Sequence, residues 1–105
     1  MPLNLLQRIS TREVRGRVLE RRHFYMGTAY APVTTYTIKG DNGKIYGGAI
    51  DGHQPSPREG DYVEMYLARR QVKLRQETLP VKVSKEVLYW EQIKGYRVLE
   101  PKASS

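Results

Sequence analysis

From Glu13 onward, apolar and polar residues alternate with a period of two, the pattern of strands that bury one face. In Glu13-Val14-Arg15-Gly16-Arg17-Val18, Val14 and Val18 fall on one side and Arg15 and Arg17 on the other. Carried forward, the same count places Arg21, His23 and Tyr25 on the arginine side and Phe24 and Met26 on the core side. Gly16 inside this run predicts a bend or a close backbone approach, as at a barrel corner. After a connection over 27–32, Val33-Thr34-Thr35-Tyr36-Thr37-Ile38-Lys39 is rich in β-branched and aromatic residues and predicts a second strand. Gly40-Asp41-Asn42-Gly43 supplies residues that tolerate a left-handed backbone, so Lys44-Ile45-Tyr46-Gly47-Gly48-Ala49-Ile50 returns antiparallel as a hairpin.

Residues 51–60 hold two prolines and two glycines and predict a loop. Gly60-Asp61 then leads into Tyr62-Val63-Glu64-Met65-Tyr66-Leu67, with Val63, Met65 and Leu67 on one face. After Arg69-Arg70-Gln71 the apolar phase moves to Val72 and Leu74, which requires a bulge, a twist or a strand end there. Pro80 confines 79–83 to an edge or a loop. Residues 86–93 fit either a strand or a two-turn helix, with Ser84 as a cap and Gly95 as a stop, and Tyr96-Arg97-Val98-Leu99 forms a last strand. Leu3, Leu6 and Ile9 lie three apart, the spacing of a short helix near the N-terminus. The chain divides into an N-terminal segment over 1–12, a single β domain over 13–100 and a flexible tail over 101–105. Val14, Val18, Ile38, Ile45, Val63, Met65 and Leu67 are the expected core, with Arg15, Arg17 and Lys39 at the surface.

The expected fold is mainly β: a small five-stranded antiparallel barrel, with short helices at the N-terminus and near 85–94. The layout resembles the OB-fold and, within it, the small single-stranded-DNA-binding proteins. The resemblance rests on Val14-Arg15-Gly16-Arg17-Val18 as a bent first strand, the 33–50 hairpin, Gly60-Asp61-Tyr62-Val63-Glu64-Met65 as a fourth strand, and the closing segment up to Val98. It implies that residues 69–85 cover the end of the fourth strand and one of the two loops that grip the ligand. SH3-like barrels begin with a similar V-x-G-x-V strand and remain an alternative. A PilZ domain is set aside, because its D/N-x-S-x-x-G motif has no counterpart here.

Charge changes the picture from fold to partner. Eighteen Lys and Arg against eleven Asp and Glu give +7 over 105 residues, which points to a polyanion. The excess lies in two segments. Residues 1–22 hold six arginines against Glu13 and Glu20, and residues 61–85 hold Arg69, Arg70, Lys73, Arg75, Lys82 and Lys85 against Asp61, Glu64 and Glu77. Guanidinium groups fork onto phosphate, which weights the first segment toward phosphate contact over simple solubility. Zero cysteines remove disulfides and thiol chemistry. With no apolar run long enough to span a membrane and no signal-peptide pattern, a soluble cytoplasmic protein is expected, without membrane attachment.

Phosphate-loop, dinucleotide, esterase and zinc-protease motifs are absent. Asp41, Asp51 and Asp61 sit beside turn glycines, where Asp is favoured without any catalytic role. His23 and His53, with Asp51, suggest a metal site only if folding joins them; two surface histidines are the simpler account. No enzyme, catalytic residue, metal or cofactor is expected. The candidate interface combines Arg15, Arg17, Arg21, Arg69, Arg70, Lys73 and Arg75 for phosphates with Tyr36 and Tyr46 as stacking faces for bases. For any single tyrosine a core or rim position is the simpler expectation, and for Trp90 a core position. The expected partner is single-stranded DNA or RNA. The alternative is an adaptor or accessory subunit that binds an acidic protein through a strand edge, and a homo-oligomer stays open.

Overall fold

The computed structural model describes residues 11–72 and 90–102. Five strands make up most of this: β1 (Thr11–Met26), β2 (Ala31–Gly40), β3 (Ile45–Asp51), β4 (Tyr62–Val72) and β5 (Trp90–Glu100). The sheet closes on itself in the order β1-β2-β3-β5-β4. Four of the five pairs are antiparallel, and β3 and β5 run parallel from Gly47↔Trp90 to Ala49↔Gln92. The sheet is thus mostly antiparallel, as expected from sequence, with one parallel pair that the sequence did not place. A ring with an odd number of strands cannot alternate direction all the way round, so one pair must be parallel. Of the strand and helix alternatives near 85–94, residues 90–94 take the strand: they are the first half of β5, paired on both sides, while 85–89 lie outside the described residues. The N-terminal helix falls on 1–10, likewise outside them; Thr11 and Arg12 already belong to β1.

The hairpin is where the turn residues place it. Val33↔Asp51 through Lys39↔Ile45 form its ladder. In the turn, the Gly43 N–H donates to Gly40 O (2.9 Å) and the Gly40 N–H to Lys44 O (2.8 Å). Gly43 has φ +83°, a left-handed conformation that a side chain resists. Gly16 pairs with Gly40 on one side and Val63 on the other, at the point where β1 passes between the two neighbours. A β-carbon there would lie 2.1 Å from Lys39 O, which is the close approach its position predicts.

Val14, Val18, Tyr36, Ile38, Val63, Met65, Leu67 and Ile93 form the buried core of the ring, with Tyr46, Ile50, Tyr96 and Val98 packed against it. Arg15, Arg17 and Lys39 are exposed, as expected. Ile45 departs from expectation: beside the turn and paired with Lys39, it shares that residue's outward side and is half-buried. Val63, Met65 and Leu67 lie inward, and the β4–β5 register shifts between Leu67 and Gln71, where the phase change required it.

A bulge in β1 changes the assignment of its second half. Val18 pairs with Ile38 but Glu20 pairs with Thr37, so Leu19 is an extra residue, 47% exposed. One inserted residue exchanges the faces of everything after it. Arg21, His23 and Tyr25 therefore share the side of Tyr36 and Thr34, not that of Arg15 and Arg17. Phe24 shares the other side with Val33. Phe24, Val33 and Ala49, with Met26 against them, form a second small cluster apart from the ring's core.

Candidate nucleic-acid interface

Arg15 and Arg17 of β1 are held by carboxylates. Arg15 pairs with Glu13 (2.8 Å) and Glu64 (3.1 Å), Arg97 with the same Glu64 oxygen as Arg15 (3.2 Å), and Arg17 with Glu100 (3.7 Å). The Tyr66 hydroxyl donates to Glu64, which is buried under these partners. That hydrogen bond, with the Arg97 and Arg15 charges, outweighs burial and holds the Glu64 carboxyl below its ordinary range. The Arg17 guanidinium also lies over the Tyr62 ring, 5.3 Å from its centroid. Three arginines against three glutamates leave this face close to neutral, so it offers a phosphate little net attraction.

Arg21 is removed from that face by the bulge and has a different task. Its Nη1 donates to Pro55 O (2.9 Å), Gln54 O (3.3 Å) and Pro57 O (3.3 Å), and its backbone N–H donates to Glu59. Tyr36 works beside it. It has no exposed surface, and its hydroxyl donates to Ser56 O (2.9 Å); burial, foremost, and the neighbouring Tyr96 push its phenol well above the ordinary value. Thr34 Oγ1 donates to Gly52 O (2.7 Å) and accepts from the Gln54 N–H (2.9 Å). Loop 52–60 thus lies across one end of the ring and satisfies its carbonyls on inward-facing side chains. The placement of Tyr36 as a stacking face is corrected accordingly: Tyr36 presents no face to a base.

Tyr46 is half-buried against the core, its hydroxyl accepts from Asn42 Nδ2 (2.8 Å), and the Arg12 guanidinium stands 5.1 Å from its ring centroid. Arg12 in turn pairs with Glu91. Arg69 and Arg70 lie in β4 just past Ala68, which pairs with Thr11, and so follow the far end of the β1–β4 ladder from Arg17↔Tyr62. Lys73 and Arg75 lie outside the described residues. The middle of the β2–β3 sheet is closed as well. Thr35, Thr37, Val33 and Ala49 are all buried, so this stretch offers no open surface.

The exposed aromatic surface lies elsewhere. Around the β1–β2 turn Tyr25 is 57% and Tyr30 is 74% exposed. His23 and His53 stack with centroids 4.8 Å apart and planes 9° from parallel, and the Tyr25 ring meets His53 edge-on at 4.8 Å. His23 Nε2 contacts Gln54 O (3.0 Å) and His53 Nε2 contacts Phe24 O (3.1 Å). A carbonyl oxygen only accepts, so each Nε2 carries the proton. The sequence offered a clue to this array: with Leu19 on the arginine phase and Glu20 and Arg22 on the core phase, the alternation had already failed before His23 and Tyr25.

Among the described residues no group of His, Asp or Glu is arranged to hold a metal ion, and no helix is long and apolar enough to cross a membrane. No protein-family model, no curated protein and no solved structure matches this chain.

Proposed function

We propose that the chain is a nucleic-acid-binding module for single strands, built on an OB-like barrel and working in the cytoplasm. The observation that carries this is the open aromatic array of Tyr25, His53 and His23, with a further exposed ring, Tyr30, in the β1–β2 turn, on a chain of net charge +7. Base stacking on exposed rings, with cations for the backbone, is how strands are held without a base-specific code. The closed strand order, with β5 inserted between β3 and β4, supports the OB-like reading, since it is the non-sequential return that a Greek-key barrel requires. The array replaces Tyr36 and Tyr46 as the stacking surface. Arg69, Arg70, Lys73 and Arg75 remain the phosphate-binding segment, while Arg15 and Arg17 are assigned to the neutralised face and Arg21 to the loop.

Replacing Tyr25 and Tyr30 together by Ala is expected to weaken binding of a labelled oligo-dT strand, at about 1–3 kcal/mol per lost stack, with the salt dependence unchanged. Replacing Arg15 and Arg17 by Ala is expected to change affinity little. The opposite ranking in a fluorescence anisotropy titration would return the interface to the β1 arginines. One observation favours a second role, an adaptor for an acidic protein. Exposed Leu19 and half-buried Ile45 line an open hollow with the exposed Lys39 and Lys44.

A further inference from the structure

The parallel seam is only three residue pairs long, from Gly47↔Trp90 to Ala49↔Gln92. Beyond it β3 continues to Asp51 beside β2, while β5, already paired with β4 at Trp90 and Glu91, runs on beside β4 from Ile93. The strands part, and a cleft of about 220 Å³ opens between them, lined by Met26, Val33, Ala49, Ile50, Asp51, Gln92 and Ile93. That is below the roughly 300–1,000 Å³ of sites for drug-sized ligands. Its walls are apolar, and its two polar members, Asp51 and Gln92, are both exposed. Both are spoken for only through the backbone among the described residues: the Asp51 carbonyl accepts from Gln54 Nε2 (2.8 Å), and Asp51 and Gln92 sit in strand ladders. Met26 ends the strand that carries Tyr25 and faces the opposite side of it, so the cleft and the aromatic array lie on the two sides of one strand end.

Resting on the single-strand reading above, we infer that this cleft takes one unstacked base out of the bound strand and selects guanine. A slot with apolar walls suits the faces of a planar ring, and its polar pair would meet the ring's edge. A carboxylate only accepts hydrogen bonds and has two oxygens to do it with. Of the common bases only guanine presents two adjacent donors on its pairing edge, N1–H and N2–H₂, next to an acceptor, O6. Asp51 receives the two donors and the Gln92 amide N–H₂ donates to O6. Adenine and cytosine each set a ring-nitrogen acceptor beside their single amino donor, and thymine and uracil flank one N–H with two carbonyls. Each would leave a carboxylate oxygen facing a lone pair, and specificity of this kind comes from the unpaired polar group as much as from the paired one.

The test is fluorescence anisotropy on the full chain with a labelled oligo-dT strand carrying one central dG, dA or dC. The dG strand is expected to bind about tenfold more tightly than the others. Asp51→Asn, which turns one acceptor into a donor and so matches the donor–acceptor edges of the other bases, is expected to erase that preference. Gln92→Ala is expected to reduce it. Circular dichroism melting of both variants confirms that they fold. Equal affinity for all strands, or a dG preference that survives Asp51→Asn, overturns the guanine site and leaves the single-strand reading standing. Absence of binding to every strand overturns both.

Discussion

Gly16 stands where three strands crowd, and Lys39 O is 2.1 Å from the place a β-carbon would take. Backbone cannot yield as a side-chain tip does, so Gly16→Ala is expected to cost at least the upper part of the about 1–3 kcal/mol typical of overpacking, read as a lower urea midpoint. Leu67, fully buried in the core, is expected to lose about 2–5 kcal/mol as Leu67→Ala through lost burial and the cavity left. Two carboxyls set the acid limit. Glu64 is held low first by the Tyr66 hydroxyl, against burial. Asp61 is penalised first by burial, yet the N–H groups of Arg58 (2.8 Å) and Lys102 (2.9 Å) hold it low. A folded value below the unfolded one, about 4 for either residue, contributes stability that is full above the unfolded value. That contribution is lost as pH falls through the lower folded value. Thermal melting is therefore expected to hold from pH 7 to about 5 and to decline below about 4, with Glu64→Gln less stable at neutral pH and flatter in acid.

Among the elements, the hairpin, the inward face of β4 and the close approach at Gly16 were legible because each depends on local chemistry: a left-handed glycine, a period of two, a missing β-carbon. The second half of β1 was not, because a single bulged residue reverses every face after it and period counting carries no memory of a slip. Glu20 and Arg22 on the core phase were the visible trace, and Leu19 on the arginine phase the residue responsible. Which strands meet in the parallel seam, and the use of Arg21 and Tyr36, were not legible, since they arise from contacts between segments far apart in the chain. Loop 52–60 shows the consequence. Arg21→Ala would leave three carbonyls without their shared donor, so it is expected to lower stability by about 1–3 kcal/mol and leave oligonucleotide affinity unaltered at temperatures where the variant is folded. Loss of affinity with no loss of stability would restore Arg21 to the interface.

At the scale of the whole molecule, five strands close into one ring, loop 52–60 covers one end, and the strip of β1, β4 and β5 that carries Arg15 and Arg17 is balanced by glutamates. The +7 charge therefore acts away from that strip, and the segment around Arg69 to Arg75 is the place to look for it. Each single-strand phosphate neutralised lowers the log–log salt slope by about 0.7, so replacing Arg70 and Lys73 together by Ala is expected to flatten it by about 1.4 for every base sequence. The most direct measurement is a parallel titration of the unaltered protein with a labelled single strand and the matching duplex across a salt series. The expected result is tighter binding of the single strand, with affinity falling linearly in log–log form as salt rises. A duplex bound as well as the single strand would contradict the stacking interface, and no affinity for either at low salt would contradict nucleic-acid binding altogether.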